Sequence, residues 1–328
     1  MIYFFLILIN LIFLFFFNSI KKAINIFDLP NNKKIHSEKI SLLGGLIFLL
    51  NISIYLIYVI IFKSSSFNDI FGFTSNASNV VFVLSILSLF LIGFLDDKKD
   101  LSVSIRILFL IFIIIINLLI TPEINISIIK LSFMNTFSIH KYSYFWTLLC
   151  FLLFINAFNF FDGINLQISG LIFAICSFFL IKNIFFDFVL VVLIANIFFI
   201  YLNYKSQTFL GNSGSFFLPF MFGALFISAY NNNTNITSDE IVILMLVPGM
   251  DLLRLFFQRI INNSNPLKGD KEHIHHYLLK KHSHILAALI NQLLIWIPYL
   301  FFQIYGNFYL VFLIQITAYI YIIRKYRG

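Results

Sequence analysis

The chain has 328 residues, of which 60% are hydrophobic and 19% aromatic, with a mean hydropathy of +0.96 and a net charge of +8. Apolar runs such as LIFLFFFNSI (11–20) and ILFLIFIIIINLLI (107–120) are too long and too apolar for the core helices of a soluble domain. Nucleic-acid-binding proteins are also positively charged, but here Lys and Arg flank the apolar runs, as they do in membrane proteins. The composition therefore excludes a nucleic-acid partner and predicts a membrane protein.

The predicted fold is an all-α integral membrane protein, a polytopic bundle of about 10–11 transmembrane helices with cytoplasmic catalytic loops. Residues 1–328 are expected to form a single polytopic membrane domain, and the first apolar run is interpreted as a retained helix rather than a signal peptide. The alternating segment INISIIKL (124–131) predicts a short hairpin or a surface strand. The predicted spans are 2–20, 43–62, 79–95, 103–121, 143–160, 167–182, 184–203, 213–230, 239–257, 285–304 and 308–323.

The positive residues lie mostly on one side of these predicted helices. If the N-terminus is outside, only Lys63, Lys130, Lys141 and Lys182 fall in outer loops, which leaves 18 of the 22 basic residues inside. The positive-inside rule then places the C-terminus and every cluster of polar residues on the cytoplasmic face.

Polar residues gather in short clusters, and such clusters are candidates for function in a membrane protein. Asp96 and Asp97 end the third predicted helix, where a carboxylate opposes the helix dipole. They form either a solvated helix terminus or a carboxylate pair suited to metal or phosphate chemistry. The clusters in chain order are DLPNNKKIH (28–36), LDD (95–97), NAFNFFDGIN (156–165), LGNSGS (210–215), PGMDLLR (248–254) and GDKEHIHH (269–276).

The cluster NAFNFFDGIN ends the fifth predicted helix. Asn156, Asn159 and Asp162 are three residues apart, which places them on one helix face. Such a row is costly in apolar surroundings unless each group has a partner, so we favour a functional role over helix–helix hydrogen bonding. Gly163 and Asn165 are predicted to cap the helix.

Two further clusters permit a functional and a structural interpretation. Gly211 and Gly214 allow a close turn before the eighth predicted helix, where free N–H groups can hold an anion. The alternative is an ordinary serine N-cap. Asp251 and Arg254, three apart on the ninth predicted helix, are interpreted as a structural ion pair that supports the following loop.

The longest basic loop contains His273, His275 and His276. A zinc site is one interpretation, but the spacing matches no common zinc pattern. The histidines with Lys268 and Lys271 could instead bind a diphosphate, and a solvated loop is the third alternative.

In their order, these clusters resemble the motifs of the polyprenyl-phosphate N-acetylhexosamine-1-phosphate transferases, the MraY/WecA type of glycosyltransferase family 4. The resemblance spans nearly the whole chain and is better to the bacterial sugar-transferase branch than to the MurNAc-pentapeptide branch. The matching elements are DLPNNKKIH with Gly44-Gly45, Asp96-Asp97, NAFNFFDGIN, GNSGS, PGMD and HIHH.

The resemblance implies a reaction in which a polyprenyl (undecaprenyl) phosphate attacks the β-phosphate of a UDP-N-acetylhexosamine. The products would be a polyprenyl-diphospho-sugar, which initiates a cell-envelope glycan of the O-antigen or capsule kind, and UMP. The implied cofactor is Mg²⁺, with Mn²⁺ as the alternative ion. The implied location is the bacterial cytoplasmic membrane, and the sequence leaves open whether the protein forms a homodimer.

The resemblance also implies roles for single residues. Asp96, Asp97 and Asp162 match catalytic positions, the first two at the lipid-phosphate end. Asn159 and Asn212 match metal-ligand positions. The lipid phosphate is mostly ionised, since its second pKa is about 6, so an orienting role is favoured over that of a base for the carboxylate pair. Asp162 also falls, with Asn165, where the family holds the nucleotide and its uracil. The other implied substrate-binding residues are Arg106, His273, His275 and His276.

The sequence departs from the family pattern in three of these motifs, at four positions. Asn212 stands where the family usually has Asp, Leu166 where it usually has Gly, and Lys39 and Ser41 where it usually has Pro. An amide adds no negative charge to a metal site, so a catalytically weakened member that binds the lipid carrier or nucleotide is the alternative function. A transporter is disfavoured because the sequence has no internal repeat and its polar groups lie on one side.

Overall fold

The structure, a computed structural model, describes residues 1–30, 38–62, 68–232, 235–263 and 272–327. Helices dominate it, and each of the predicted spans overlaps one long helix. The fold class predicted from the sequence is thus confirmed. The helices are α1 (Ile2–Ile24), α2 (Gly44–Phe62), α3 (Asn68–Phe71), α4 (Asn76–Lys99), α5 (Val103–Ile120), α6 (Ser143–Phe161), α7 (Gln167–Ile181), α8 (Phe186–Tyr204), α9 (Gly211–Asn232), α10 (Ser238–Ile261), α11 (Ile274–Leu279), α12 (His284–Tyr305) and α13 (Phe308–Arg327).

Within the described residues, 9 helices are long and apolar enough to cross a membrane, so the protein is a multi-pass membrane protein. Two of the predicted spans differ from these. The α7 helix is apolar but has only 15 residues. The α10 helix has 24 residues but carries two acidic residues in its first turn and Asp251, Arg254 and Arg259 further along.

The chain divides into two compact units. The first comprises Met1–Asn125 and Ile175–Ala229, and the second comprises Ile126–Ala174 and Tyr230–Gly328. The interpretation of residues 1–328 as one membrane domain stays a prediction.

In the first unit, α8 packs against α1 and α2, and α4 packs against α5. Asn10 of α1 and Asn51 of α2 are both buried and donate to each other's side-chain oxygen at 2.7 and 3.1 Å. A buried amide without partners is costly, so this reciprocal pair favours one register of α1 on α2. Strand β1 (Phe27–Asp28) pairs antiparallel with β2 (Ile40–Ser41). Residues 31–36 of the DLPNNKKIH cluster lie outside the described residues.

In the second unit, α10 packs against α6, α12 and α13. The strands β3 (Ile128–Leu131) and β4 (Met134–Ser138) form an antiparallel hairpin. Of the two alternatives predicted for INISIIKL, a hairpin or a surface strand, the structure shows the hairpin, whose second strand lies beyond that segment. Asp239, at the start of α10, accepts the backbone N–H of Ser132 at 2.9 Å and thereby attaches the hairpin to the helix.

Candidate active site

In the first unit, the carboxylate of Asp96 is held at the end of α4. Asp96 is 3% exposed and accepts the Leu101 backbone N–H at 2.8 Å. Arg106, one turn into α5, donates to the other carboxylate oxygen at 3.1 Å. Two residues that the sequence assigned to the site, Asp96 and Arg106, therefore form an ion pair, in which the arginine remains partly exposed.

The neighbouring carboxylate, Asp97, caps a different helix. Its two oxygens accept the backbone N–H groups of Asn212 at 2.8 Å and Ser213 at 3.1 Å. These groups belong to the first turn of α9, where N–H groups lack helical partners and a negative charge is favourable. The sequence left open a serine N-cap or an anion site at this turn. In the structure Asp97 of α4 caps the turn instead, and it occupies two of the N–H groups that could have bound an anion.

Glycines allow this close approach of backbones in the first unit. A Cβ on Gly93 of α4 would lie 2.3 Å from the carbonyl oxygen of Asn212. A Cβ on Gly45 would lie 2.5 Å from the backbone nitrogen of Gly214. The N–H of Gly45 also donates to the carbonyl of Leu210 at 2.8 Å. Gly44-Gly45 and the GNSGS cluster are far apart in sequence but pack directly against each other.

In the second unit, the NAFNFFDGIN cluster forms the end of α6 and the following turn. The helix ends at Phe161, and Asp162 is its C-cap, with its N–H bound to the carbonyl of Asn159 at 3.2 Å. The prediction that Gly163 and Asn165 supply the cap is wrong, because the chain leaves the helix before it reaches them. Asn159, Asp162 and Asn165 are each half-buried, as is Asn156.

The backbone conformation of Leu166 explains why the family usually has glycine at this position. Its φ is +68°, in the left-handed region that favours glycine. The turn after DGIN therefore requires a conformation that Gly adopts without strain and Leu adopts at a cost.

We expect Leu166→Gly to be more stable than Leu166→Ala by about 1 kcal/mol, because both remove the side chain and only alanine keeps the strain. At Leu152, inside α6, the order should reverse by about 1 kcal/mol, because glycine is the poorer helix former. Thermal unfolding of the four variants in detergent measures both differences. The same order at both positions would show that the conformation of Leu166 is not strained.

The three histidines of the basic loop lie together in the second unit, at the start of α11. The rings of His273 and His275 stack with centroids 5.4 Å apart, and the ring of His276 lies 4.3 Å from that of His275. A Cβ on Gly163 would lie 2.0 Å from Nε2 of His275. The ring centroids of Phe160 and His273 are 5.4 Å apart. The structure thus brings the DGIN turn and the HIHH segment together. The predicted partners Lys268 and Lys271 lie outside the described residues.

His275 is buried, and its Nδ1 has no hydrogen-bond partner in the described part of the chain. Burial lowers the pKa of His275 well below its usual value, and the neighbouring His276 and His273 lower it further. A neutral His275 can meet a phosphate oxygen only as an N–H donor, whereas a charged one would also attract it electrostatically.

The predicted ion pair between Asp251 and Arg254 is confirmed, at 2.8 Å. Asp251 also contacts Nδ1 of His273 at 2.8 Å and the hydroxyl of Tyr319 at 2.8 Å. Sequence reasoning missed Tyr319, because a tyrosine in the apolar α13 carries no local signal of the carboxylate that it meets.

The side chains fit Mg²⁺ better than zinc. In the regions that the structure describes, no three His, Cys, Asp or Glu side chains are grouped so that they could hold a metal ion. Asn159 and Asp162 offer amide and carboxylate oxygens at the C-terminal end of α6, where helix carbonyls add negative potential. Mg²⁺ uses such oxygens with few protein ligands and completes its shell with water and substrate phosphates.

The chain is similar to known proteins over most of its length. The model of "Glycosyl transferase family 4" matches residues 79–230, which include Asp96, Asp97, the DGIN turn and the GNSGS cluster. An undecaprenyl-phosphate alpha-N-acetylglucosaminyl 1-phosphate transferase of Escherichia coli O157:H7 is 26% identical over 300 residues, 83% of this chain and 74% of the relative.

Two other relatives carry similar names. A probable undecaprenyl-phosphate N-acetylglucosaminyl 1-phosphate transferase of Bacillus subtilis (strain 168) is 26% identical over 81% of this chain and 74% of its own. A decaprenyl-phosphate N-acetylglucosaminephosphotransferase of Mycolicibacterium smegmatis is 33% identical over 27% of this chain and 25% of its own. Over residues 79–230 the chain is thus similar to glycosyltransferase family 4, and the ordered motifs, the helical membrane fold and the names of the relatives support the MraY/WecA type of this family.

Proposed function

We propose that this protein transfers an N-acetylhexosamine 1-phosphate from a UDP-sugar to polyprenyl phosphate and releases UMP. The observation that carries the proposal is the packing of the DGIN turn on His275, which joins two motifs far apart in sequence. The names of the relatives, which are undecaprenyl- or decaprenyl-phosphate transferases, support the acceptor and the class of reaction.

In the proposed reaction, an oxygen of the lipid phosphate forms a bond to the β-phosphorus of the UDP-sugar. The bond between this phosphorus and the oxygen bridging to the α-phosphate breaks, and that oxygen leaves on UMP. Phosphoryl transfer needs charge neutralisation and positioning more than covalent help. Bound Mg²⁺ would supply charge neutralisation to the phosphates.

The residues of each unit suit different parts of this task. In the first unit, Arg106 is a partly exposed cation fixed by Asp96 and suits the binding of a phosphate. Asp97 holds the start of α9 in place, and we assign it a positioning role rather than that of a base. Asn212, in the same turn, is proposed as a metal ligand.

In the second unit, we assign Asn159 to the metal, and Asp162 and Asn165 to the nucleotide. His273, His275 and His276 are assigned to the diphosphate. The close contact of Gly163 with His275 supports this division, because a nucleotide and its diphosphate are one molecule and their binding groups must lie near each other.

The location and orientation are also part of the proposal. The positive-inside distribution supports an N-terminus outside and a C-terminus inside the bacterial cytoplasmic membrane, with the site on the cytoplasmic face. The lipid product would initiate an O-antigen- or capsule-like glycan. UDP-GlcNAc is the first candidate donor, because the relatives are named for N-acetylglucosamine. The UDP forms of QuiNAc and FucNAc are the alternatives, and a homodimer remains part of the hypothesis.

A panel of UDP-sugars tests the proposal directly. Purified protein with undecaprenyl phosphate and Mg²⁺ should release UMP from one UDP-N-acetylhexosamine, and mass spectrometry should find the matching lipid diphospho-sugar. Asp162→Asn, prepared in parallel, should release none. If no UDP-N-acetylhexosamine yields UMP with Mg²⁺ or Mn²⁺, the proposed reaction is wrong.

The second candidate function is that of a weakened member that binds the lipid carrier or the nucleotide without turnover. Asn212 favours it, because an amide adds no charge to the proposed metal site. UDP binding by calorimetry without UMP release would support this function, and turnover at an ordinary rate would exclude it. Substrate flux in proteoliposomes would be required to support the transporter alternative.

Replacing the amide tests the role of residue 212. We expect Asn212→Asp to lower the Mg²⁺ concentration needed for half-maximal rate, because a carboxylate adds negative charge to the metal ligands. Asn307→Asp is the matched control, since it adds the same charge at the exposed start of α13, where an Asp can replace Asn as the cap. An equal Mg²⁺ requirement in all three proteins would remove residue 212 from the proposed metal site.

A further inference from the structure

Asp251 of α10 is 3% exposed and accepts hydrogen bonds from several donors around it. The guanidinium of Arg254 and the hydroxyl of Tyr319 each lie 2.8 Å from one carboxylate oxygen. The second oxygen lies 2.8 Å from Nδ1 of His273. The backbone N–H of Ile274 adds a bond of 3.2 Å. A carboxylate surrounded by so many donors is ionised and acts only as an acceptor.

This arrangement decides which nitrogen of His273 carries a proton. Arginine does not lose its proton, and a backbone N–H can only donate, so the charge of Asp251 is fixed by its other contacts. The contact at 2.8 Å therefore requires a proton on Nδ1 of His273. Nε2 is then the ring nitrogen left to interact with a ligand, as in other histidines that are oriented by a carboxylate.

The same carboxylate links His273 to the last helix of the chain. Nε of Arg254 donates to the hydroxyl of Tyr319 at 2.9 Å, and the guanidinium also donates to the carbonyl of Glu272, the residue before His273. The guanidinium lies over the ring of Tyr277 at 5.7 Å, and the hydroxyl of Tyr277 contacts the Glu272 carboxylate. The histidine segment is thus attached to α10 and α13 by contacts on both sides of His273.

We propose that Asp251 is a positioning residue that holds His273 with its proton on Nδ1 and its Nε2 toward the diphosphate. Tyr319 and Arg254 hold Asp251 in place, so α13 takes part in forming the substrate site without contacting substrate. The assignment of a diphosphate rests on the proposed function, whereas the protonation of His273 rests only on the contacts of Asp251.

The protonation can be measured without substrate. In protein labelled with ¹⁵N-histidine, the signal that disappears in His273→Gln identifies His273 among the 7 histidines. We expect a ring protonated on Nδ1 in the wild type and a shift toward Nε2 protonation in Asp251→Asn. In the transfer assay, Asp251→Asn should lower kcat by about 10- to 100-fold, as the loss of such an orienting group does elsewhere, with a smaller change in the KM for UDP-sugar.

Tyr319→Phe provides a milder variant in case Asp251→Asn does not fold. It removes one hydrogen bond to Asp251 and should lower kcat by about 2- to 10-fold and weaken the Nδ1 signal. Tyr321→Phe is the matched control, because Tyr321 is 61% exposed on the same helix, and neither readout should change.

The two readouts separate the hypotheses. If the wild type shows no transfer but the signal of His273 responds to Asp251→Asn and Tyr319→Phe, the proposed function is wrong and the positioning of His273 holds. If the wild type transfers sugar phosphate and neither variant changes the signal of His273 or kcat, the positioning role is overturned.

Discussion

Asp97→Asn is expected to lower kcat by about 100-fold, the cost associated with a displacement of about 1 Å in an active site. Both oxygens of Asp97 accept N–H groups from the first turn of α9. An asparagine has one oxygen, so its NH₂ group would face one of these donors, and the turn that carries Asn212 must move. The transfer assay with the donor identified in the UDP-sugar panel measures the effect.

The free energy of unfolding should fall with the activity, by about 1–3 kcal/mol, because a buried N–H group loses a charged partner. Asp100→Asn is the matched control. Asp100 is exposed at the C-cap of α4 with a φ of +49°, a conformation that asparagine tolerates, so neither activity nor stability should change. A kcat of Asp97→Asn within twofold of the wild type would contradict the positioning role of Asp97.

Gly163→Ala is expected to lower kcat by about 100-fold, because the added methyl group would clash with His275. The new Cβ would lie 2.0 Å from Nε2 of His275, where an ordinary van der Waals contact needs 3.4–4 Å. The buried ring must therefore move by more than about 1 Å, a displacement that can cost an active site about 100-fold. UMP release under saturating substrate measures the loss.

Gly249→Ala in α10 is the matched control, because a Cβ there meets no atom within 4 Å. Alanine is the better helix former, so this variant should keep its activity and gain stability. If Gly163→Ala is as active as Gly249→Ala, the DGIN turn and His275 do not act together.

The long helices could be predicted because the cause of each lies within its own segment. A bilayer requires about 20 apolar residues per span, and each such run formed a helix close to its predicted bounds. The ion pair of Asp251 with Arg254 was also predictable, since residues three apart are neighbours on any helix. The motif order indicated the family for a similar reason, because residue types and spacing are visible without coordinates.

The helix ends were predicted less well. The serine cap expected at α9 and the Gly163–Asn165 cap expected at α6 were local solutions, whereas α9 is capped by Asp97 and α6 ends at Asp162. The strain at Leu166 was visible only as a departure from a pattern until its φ of +68° gave the cause.

The sequence by itself determined that this is a helical multi-pass membrane protein whose polar residues fall into six ordered clusters, because hydrophobic length and residue spacing act within one segment. Only the tertiary structure decided that Asp97 accepts N–H groups from the first turn of α9 and that Gly163 packs against His275. It also decided that Asp251 contacts both Tyr319 and His273. The physical reason is that a buried polar group needs a partner, and that partner is chosen by three-dimensional proximity rather than by distance along the chain.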